Sequence, residues 1–317
     1  MDPSHELLQS DYLRRRGVRP DRAAAQAEAR IVRVRRGVYA ERDGWEASSA
    51  ADRYRAFVMA SAQCMRGSHA ILCGPAAAAL WRLPIIGAWP STVDVVVGPN
   101  GGGSSGNVRR HRLRSLPLAH NVNGIAVTGP ARTVVDLGRT TPLICALAAA
   151  DAALRARLCT RADLARELGD VAPRERGRGA AVTVVLLADG RAESPGESLS
   201  RARMWELGLP QPELQVPLRD EHGAYGRADF GWDGVIGEFD GRLKYGVDHA
   251  GDGAIQDVLW REKVREDRIR RHASVARWTW DDALRTRPMA RILEAAGILP
   301  DSPRTPWVPA PDAVLHE

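Results

Sequence analysis

The chain has 317 residues, of which 44% are hydrophobic and 26% charged, which is typical of a globular protein with sizeable cores. Its formal net charge of +6 favours a polyanionic partner, although net charge carries no information about the fold. No apolar stretch is long enough to cross a membrane, and the four cysteines form no C-x-x-C pair, so we expect a cytoplasmic protein with free thiols, without a membrane partner or a zinc site.

The first 48 residues predict two short helices and a hairpin. His5 to Arg15 and Arg19 to Ala29 are rich in strong helix formers. Ile31 to Val34 and Val38 to Ala40 then read as two strands around a turn. Helix, helix and hairpin is the order of elements in a compact winged helix.

The hairpin carries the pattern R-x-x-R-G-x-Y between Arg33 and Tyr39. This pattern resembles the N-terminal domain of AbiEi-type antitoxins. The resemblance implies that the second helix is a recognition helix, with Arg22 and Arg30 in reach of the DNA backbone or base edges. The alternative is a winged helix that binds protein, because its alanine-rich helix has few side chains able to read bases.

Residues 49–172 predict an α+β middle domain, and its most basic stretch is Val108 to Arg114. Arg109, Arg110 and Arg112 in this stretch are candidate contacts to DNA phosphates, each of which would add affinity and salt dependence. The alternative is an exposed edge strand whose charges protect the sheet from aggregation.

A second motif of this region reads T-G-P-x-R-T-V-x-D-L and runs from Thr128 to Leu137. It again resembles the AbiEi-like family, and together the two stretches of similarity extend from His5 to Leu168. The resemblance implies a role in a toxin–antitoxin pair, and therefore a cognate toxin as a partner besides duplex DNA.

The segment from Tyr225 to Tyr245 predicts a β-hairpin around the turn Asp233-Gly234, which suits a two-residue turn. The register of that hairpin places Asp229 opposite Glu238. Like charges directly opposite each other destabilise a sheet, and a bound cation would remove the cost. Mg²⁺ is the natural ion, because it is typically held by one or two carboxylates with water and substrate phosphates. The alternative is a solvated face on which basic neighbours neutralise the acids.

The residues Asp229-Phe230 and Glu238-Phe239-Asp240-Gly241 resemble the core of the PD-(D/E)XK, or restriction-endonuclease-like, superfamily, and most closely its Vsr-like branch. The similarity covers Gly190 to Arg285. It implies Mg²⁺, or Mn²⁺ in its place, as cofactor, with Asp229 and Glu238 as metal ligands. The catalytic residues it implies are Glu197, Asp229, Glu238, Asp240 and Lys244. Asp240 stands where the superfamily usually has a catalytic lysine, so Lys244 is the substitute, and Arg277 is a candidate contact to DNA.

Glu197 has two interpretations. Ser194, Pro195 and Glu197 form the pattern of a helix capping box, which alone can explain the glutamate. The Vsr-like resemblance instead implies that an acidic residue on this helix joins the metal site, with Glu193 as the other candidate.

The fold class that follows is a multidomain α/β protein. The predicted parts are a winged helix (1–48), an α+β middle domain (49–172), a restriction-endonuclease-like α/β/α domain with a mixed sheet (173–299) and a loosely ordered Pro-rich tail (300–317). The predicted function is a Mg²⁺-dependent DNA endonuclease that hydrolyses phosphodiester bonds and is brought to DNA by the winged helix. The alternatives are a non-catalytic DNA-binding regulator or antitoxin with an inert nuclease fold, and a non-enzymatic scaffold that binds RNA.

Overall fold

A computed structural model of the chain describes residues 7–26, 29–65, 70–104, 106–221, 223–241, 268, 273–303 and 305–309. The chain divides into two compact units, one of Met1–Thr141 with Leu158–Ala181 and one of Pro142–Arg157 with Val182–Glu317. The domain boundaries predicted at residues 48, 172 and 299 stay predictions. Lys244 lies outside the described residues. The sequence also predicts a charged helix over Asp252 to His272, of which the structure describes Arg268.

The elements of the first half are, in chain order, β1 (Leu8–Gln9), α1 (Ser10–Arg15), α2 (Pro20–Ala24), β2 (Ile31–Arg35), β3 (Val38–Glu41), α3 (Arg42–Ala47), α4 (Ala50–Cys64), β4 (Ile71–Leu72), α5 (Gly74–Leu80), β5 (Val93–Val97), β6 (Val108–Arg112), β7 (Ala119–Val122), β8 (Ile125–Thr128) and α6 (Pro130–Thr140). Then follow α7 (Leu143–Arg155), α8 (Arg161–Gly169), α9 (Arg178–Leu187), α10 (Pro195–Glu206), β9 (Glu213–Asp220), β10 (Gly223–Trp232), β11 (Val235–Asp240), β12 (Ser274–Thr279), α11 (Trp280–Arg285) and α12 (Arg287–Ala295).

In the N-terminal segment, β3 lies between β1 and β2 and is antiparallel to both. The hairpin of β2 and β3 is present, and β3 buries Val38, Tyr39 and Ala40. The helices are shorter than the sequence predicts, because α1 starts only at Ser10 and α2 ends at Ala24. Arg30 lies between α2 and β2, and its contact with DNA stays a prediction. The winged-helix assignment itself stays a prediction.

The rest of the first unit is built on a five-stranded mixed sheet with the order β6-β5-β4-β8-β7. The pairs β5–β6 and β4–β8 are parallel. The pairs β4–β5 and β7–β8 are antiparallel. All five residues of β5 are buried, in keeping with its nearly continuous run of valines. α4 and α5 contribute Tyr54, Val58 and several small alanines to this core.

The second unit contains a four-stranded mixed sheet with the order β12-β11-β10-β9. β9, β10 and β11 form an antiparallel meander, and β12 is parallel to β11. Phe230 and Trp278 are fully buried, and the Trp278 indole donates to the Ser200 hydroxyl of α10 at 2.7 Å. The mixed α/β class is thus confirmed, while the restriction-endonuclease-like assignment stays a prediction.

Two segments differ from the expectations drawn from the sequence. Trp307 in the Pro-rich tail is buried, and its indole donates to the Leu209 carbonyl at 3.0 Å, so this part of the tail belongs to the packed second unit. The alternation of Ala276, Trp278 and Trp280 predicts one strand through all three residues, but the strand ends at Thr279 and Trp280 begins α11. The four cysteines are free thiols, as expected. Within the described ranges, no helix is both long and apolar enough to cross a membrane.

Candidate functional site

The N-terminal segment exposes many arginine side chains. Arg22 lies in the last turn of α2 and Arg30 directly before β2, and both are exposed. Exposed arginines between residues 14 and 36 also include Arg14, Arg15, Arg16, Arg19, Arg33 and Arg36. Among the described residues, acidic side chains close to this set include Asp11, 3.3 Å from Arg14, and Asp21, 3.7 Å from Arg33. The described part of the segment is therefore a strongly positive surface, accessible to a polyanion.

The basic strand β6 lies at one edge of the five-stranded sheet. Arg109 is mostly exposed and its guanidinium lies 3.8 Å from Asp94. The guanidinium groups of Arg110 and Arg112 donate to carbonyl oxygens of the preceding glycine-rich loop, at 2.8 and 3.3 Å. The edge position agrees with a protective role for these charges, and the exposed Arg109 also leaves a positive group available to phosphates.

The motif from Thr128 to Leu137 has a structural explanation. The Thr128 and Thr133 hydroxyls lie 2.8 Å apart in the core at the start of α6, and Trp81 donates to the Thr128 carbonyl at 2.8 Å. Arg132 pairs with Asp136 one turn later at 3.0 Å. Burial raises the pKa of the Asp136 carboxyl, and the guanidinium of Arg132 opposes that rise. These contacts join β8, the C-cap of α5 and α6, so the motif maintains the fold of this unit.

The predicted hairpin register is present in the second unit. Phe230 pairs with Gly237 and Trp232 with Val235 across the Asp233-Gly234 turn. The pairing ends at Phe230 and Gly237, and Asp229 and Glu238 are the next residues along the two strands. Beyond the last pair, the backbone N–H of Phe239 donates to the Asp229 carboxylate at 2.8 Å. This side chain takes the place of a backbone carbonyl of the neighbouring strand.

The two neighbouring strands extend this pair into a row of polar residues. β9 pairs Val216 with Ala228 and Leu214 with Phe230, so Gln215 lies opposite Asp229. β12 pairs Arg277 with Glu238, and the Arg277 Nε donates to Glu238 at 2.8 Å. We call Gln215, Asp229, Glu238 and Arg277 the polar row. All four are partly buried, so the row is partly shielded from water but still accessible.

Glu197 reaches this row from the first turn of α10. Ser194 caps the helix by accepting the Glu197 N–H at 3.2 Å, as half of the predicted capping box. The Glu197 carboxylate accepts the Glu193 N–H at 2.8 Å and the Gln215 side-chain amide at 2.7 Å. Only 6% of Glu197 is exposed, so its carboxylate is buried. The structure thus joins Glu197 to the polar row through Gln215.

The other predicted site residues lie in different surroundings. Glu193 accepts a hydrogen bond from Arg227 at 2.5 Å, and both side chains are half exposed. Asp240 is exposed at the end of β11, opposite Thr279 in the parallel register. Sequence analysis missed Gln215, because β9 was not predicted. The alternation of apolar and polar residues in E-L-Q-V-P-L was the available signal.

The polar row fits Mg²⁺ in the type of donor atom it offers. Carboxylate oxygens are the ligands of this ion, and two carboxylates with water and phosphate are a typical set. Within the described residues, no three Asp, Glu, His or Cys side chains are grouped so as to hold a metal. An ion here would therefore be bound through Asp229 and Glu238 and completed by water or phosphate.

Comparison with known proteins finds a similarity for the region that contains the five-stranded sheet. Residues 71–181 match the family model of the AbiEi antitoxin C-terminal domain. This confirms the AbiEi resemblance for the middle region, while the resemblance of residues 5–70 stays a prediction.

Similar proteins come from Mycobacterium tuberculosis. The uncharacterized proteins MT2308 (strain CDC 1551 / Oshkosh) and Rv2248 (strain ATCC 25618 / H37Rv) are each 42% identical over 111 residues, 35% of this chain. The chain spans 41% of the length of these relatives. A crystal structure of the RV2827C protein from the same species aligns with 61% of this chain and 74% of its own at 16% identity, with a TM-score of 0.34.

Proposed function

We propose that this protein is a DNA-binding regulator of the antitoxin type. The observation that carries the proposal is the match of residues 71–181 to an antitoxin domain, in a chain that begins with a strongly positive segment. Arginine suits this role because its planar guanidinium binds phosphate with two parallel hydrogen bonds and stays charged at every physiological pH. Each neutralised phosphate releases counterions, so binding weakens as salt increases.

The test measures binding to duplex DNA by fluorescence anisotropy between about 50 and 200 mM salt. Each phosphate contact contributes about 0.9 to the slope of log affinity against log salt. We expect the double variant R22Q/R30Q to bind all duplexes more weakly and to reduce the slope by about 2. A duplex RNA of the same length, added as a competitor, distinguishes this proposal from an RNA scaffold.

Arg291→Gln is the control for each single substitution, because Arg291 is an exposed arginine in α12 and its loss changes net charge equally. If R22Q, R30Q and R291Q each reduce affinity by the same factor and leave equal slopes, the N-terminal segment is not the interface. Comparing several duplex sequences then shows whether Arg22 or Arg30 reads bases. Removing a base contact weakens binding only to duplexes that carry the contacted base, whereas removing a phosphate contact weakens binding to all of them.

A cognate toxin is the second partner that we propose, because the matched family is named for antitoxins. A toxin gene beside this one is the cheapest indication. Co-expression of both proteins, followed by purification through a tag on the toxin, tests the interaction directly. Absence of this chain from the purified toxin would contradict the proposal.

The polar row favours a second candidate function, metal-dependent hydrolysis of a phosphodiester. A bound Mg²⁺ would polarise the phosphate and lower the pKa of an attacking water. In this proposal Asp229 and Glu238 would bind the ion, and the Arg277 Nε donates to the Glu238 carboxylate. Glu197, which accepts a hydrogen bond from Gln215, would add negative charge beside this site.

Cleavage of plasmid DNA with and without Mg²⁺ tests this candidate. We expect D229N and E238Q to abolish any cleavage. Asp233→Asn is the matched control, because Asp233 lies in the exposed turn and asparagine is equally suited there. Cleavage that persists in D229N, or that needs no divalent ion, would exclude the polar row as its site.

A further inference from the structure

Gln215 has an unusual backbone conformation for its place in the fold. Its φ is +56°, in the left-handed region that disfavours residues with a side chain. The other described non-glycine residues with positive φ lie at helix ends or in a turn, outside the strands. They are Arg82, Asn123, Arg157 and Thr286. Among the described residues, Gln215 is the one such case inside a strand.

An extra residue in β9 does not cause this conformation. The pairing of β9 with β10 keeps the same register on both sides of Gln215, from Val216 opposite Ala228 to Leu214 opposite Phe230. The irregularity of this strand pair lies further along, between Ala224 and Gly226. Glycine is the usual residue where a strand must adopt positive φ. A glutamine here therefore indicates that its side chain is required.

The Gln215 side chain provides a hydrogen-bond donor to a buried acid. Its amide Nε2 lies 2.7 Å from the Glu197 Oε2, and the same oxygen accepts the Glu193 N–H at 2.8 Å. Glu197 is 6% exposed, so both donors compensate for the loss of hydration of its charge. Gln215 is also the cross-strand neighbour of Asp229 by register.

We infer that Gln215 is a positioning residue, which holds the Glu197 carboxylate at the polar row at the cost of backbone strain. The inference rests on the second candidate function, metal-dependent hydrolysis at this row. Strained residues of this kind concentrate at functional sites, where the surrounding structure maintains them. The partners that orient the groups of a metal site typically change metal affinity by about 10–100-fold when removed.

The first experiment measures strain without any metal. In an ordinary strand position, alanine is more stable than glycine. At Gln215 we expect the reverse order, with Q215G unfolding about 2–6 °C above Q215A, because both lack the amide and only alanine keeps the strained Cβ. Arg219 is the control, being exposed in the same strand without a positive φ, so R219A should be more stable than R219G. If Q215A is the more stable variant at position 215, the strain is absent and the inference is wrong.

The second experiment measures binding of Mn²⁺ alone by electron paramagnetic resonance. We expect Q215A and Q215G to bind Mn²⁺ about 10–100-fold more weakly than the wild type does. The two variants should have the same Mn²⁺ affinity, although they differ in stability. Q215N should retain more affinity than either, since asparagine keeps an amide and tolerates positive φ. Wild-type affinity in Q215A would overturn the positioning role and leave the metal site intact. If the wild type itself binds no Mn²⁺, the hydrolysis candidate fails, and the positioning role fails with it.

Discussion

The helix that carries Glu197 is anchored by a buried ion pair one turn further along. Arg201 of α10 donates to Asp151 of α7 at 2.8 Å and to the Leu187 carbonyl at 2.5 Å. The second oxygen of Asp151 accepts the Asp189 N–H at 2.8 Å. The side chains of Arg201 and Asp151 are 4% and 1% exposed, so each charge depends on the other for compensation.

Asp151→Asn removes one charge of this pair without changing the shape of the side chain. Leaving a buried charge without its partner costs about 3–5 kcal/mol. For a unit of this size, that loss corresponds to a decrease of about 6–20 °C in Tm. Replacing both partners with apolar residues, as in D151L/R201M, is expected to restore most of the stability, because no uncompensated charge remains.

The assay is urea unfolding followed by tryptophan fluorescence, since Trp278 and Trp307 are buried in this unit. Asp281→Asn is the matched control, because its pair with Arg285 spans 3.1 Å but is mostly exposed, and it should cost less than about 1 kcal/mol. A loss in D151N no larger than that in D281N would refute the reasoning. A D151L/R201M variant that is as unstable as D151N would also refute it.

Two further predictions concern packing and pH. A Cβ on Gly237 would lie 2.8 Å from the Trp278 ring, so G237A should lose about 1–3 kcal/mol in urea unfolding. Gly241→Ala, whose nearest contact is at 3.6 Å, should leave stability nearly unchanged, and equal losses would contradict the argument. The backbone N–H of Thr160, and then its hydroxyl, lower the pKa of Asp163 from 3.8 to about 2. Because the pKa is lower in the folded state, the Asp163 carboxylate stabilises the fold at pH values above its unfolded pKa. This effect is lost as the pH falls through the folded pKa. The stability gap between wild type and D163N should therefore be constant above about pH 4 and shrink towards pH 2, and a gap that is independent of pH would be the contrary result.

Local chemistry made the hairpin of the second unit predictable. The Asp233-Gly234 turn defines the register by itself, because a two-residue turn leaves no freedom in the pairing of its flanking strands. Gly234 has the expected positive φ of 69°. The pairing of Phe230 with Gly237 and of Trp232 with Val235 follows from that register and is confirmed, while the opposition of Asp229 and Glu238 at a metal site stays a prediction.

Features that depend on distant contacts could not be predicted in this way. Gln215 belongs to the site because of its pairing with β10 and its bond to α10, neither of which is visible in its neighbouring residues. The burial of Trp307 depends likewise on a carbonyl almost a hundred residues away. Helix α2 ends at Ala24, although the alanines beyond it favour a longer helix, because propensity is a weak determinant next to tertiary context.

The path of the chain through the two units has a consequence for any attempt to separate them. The chain passes from one unit to the other three times, after Thr141, after Arg157 and after Ala181. No single cut can release either unit intact. A fragment that starts at residue 173 would retain Arg201 but lose α7, and with it the carboxylate that neutralises this guanidinium. The segment that matches the antitoxin family includes α7, so excising it as an independent module would leave the remainder with an orphaned charge in its interior.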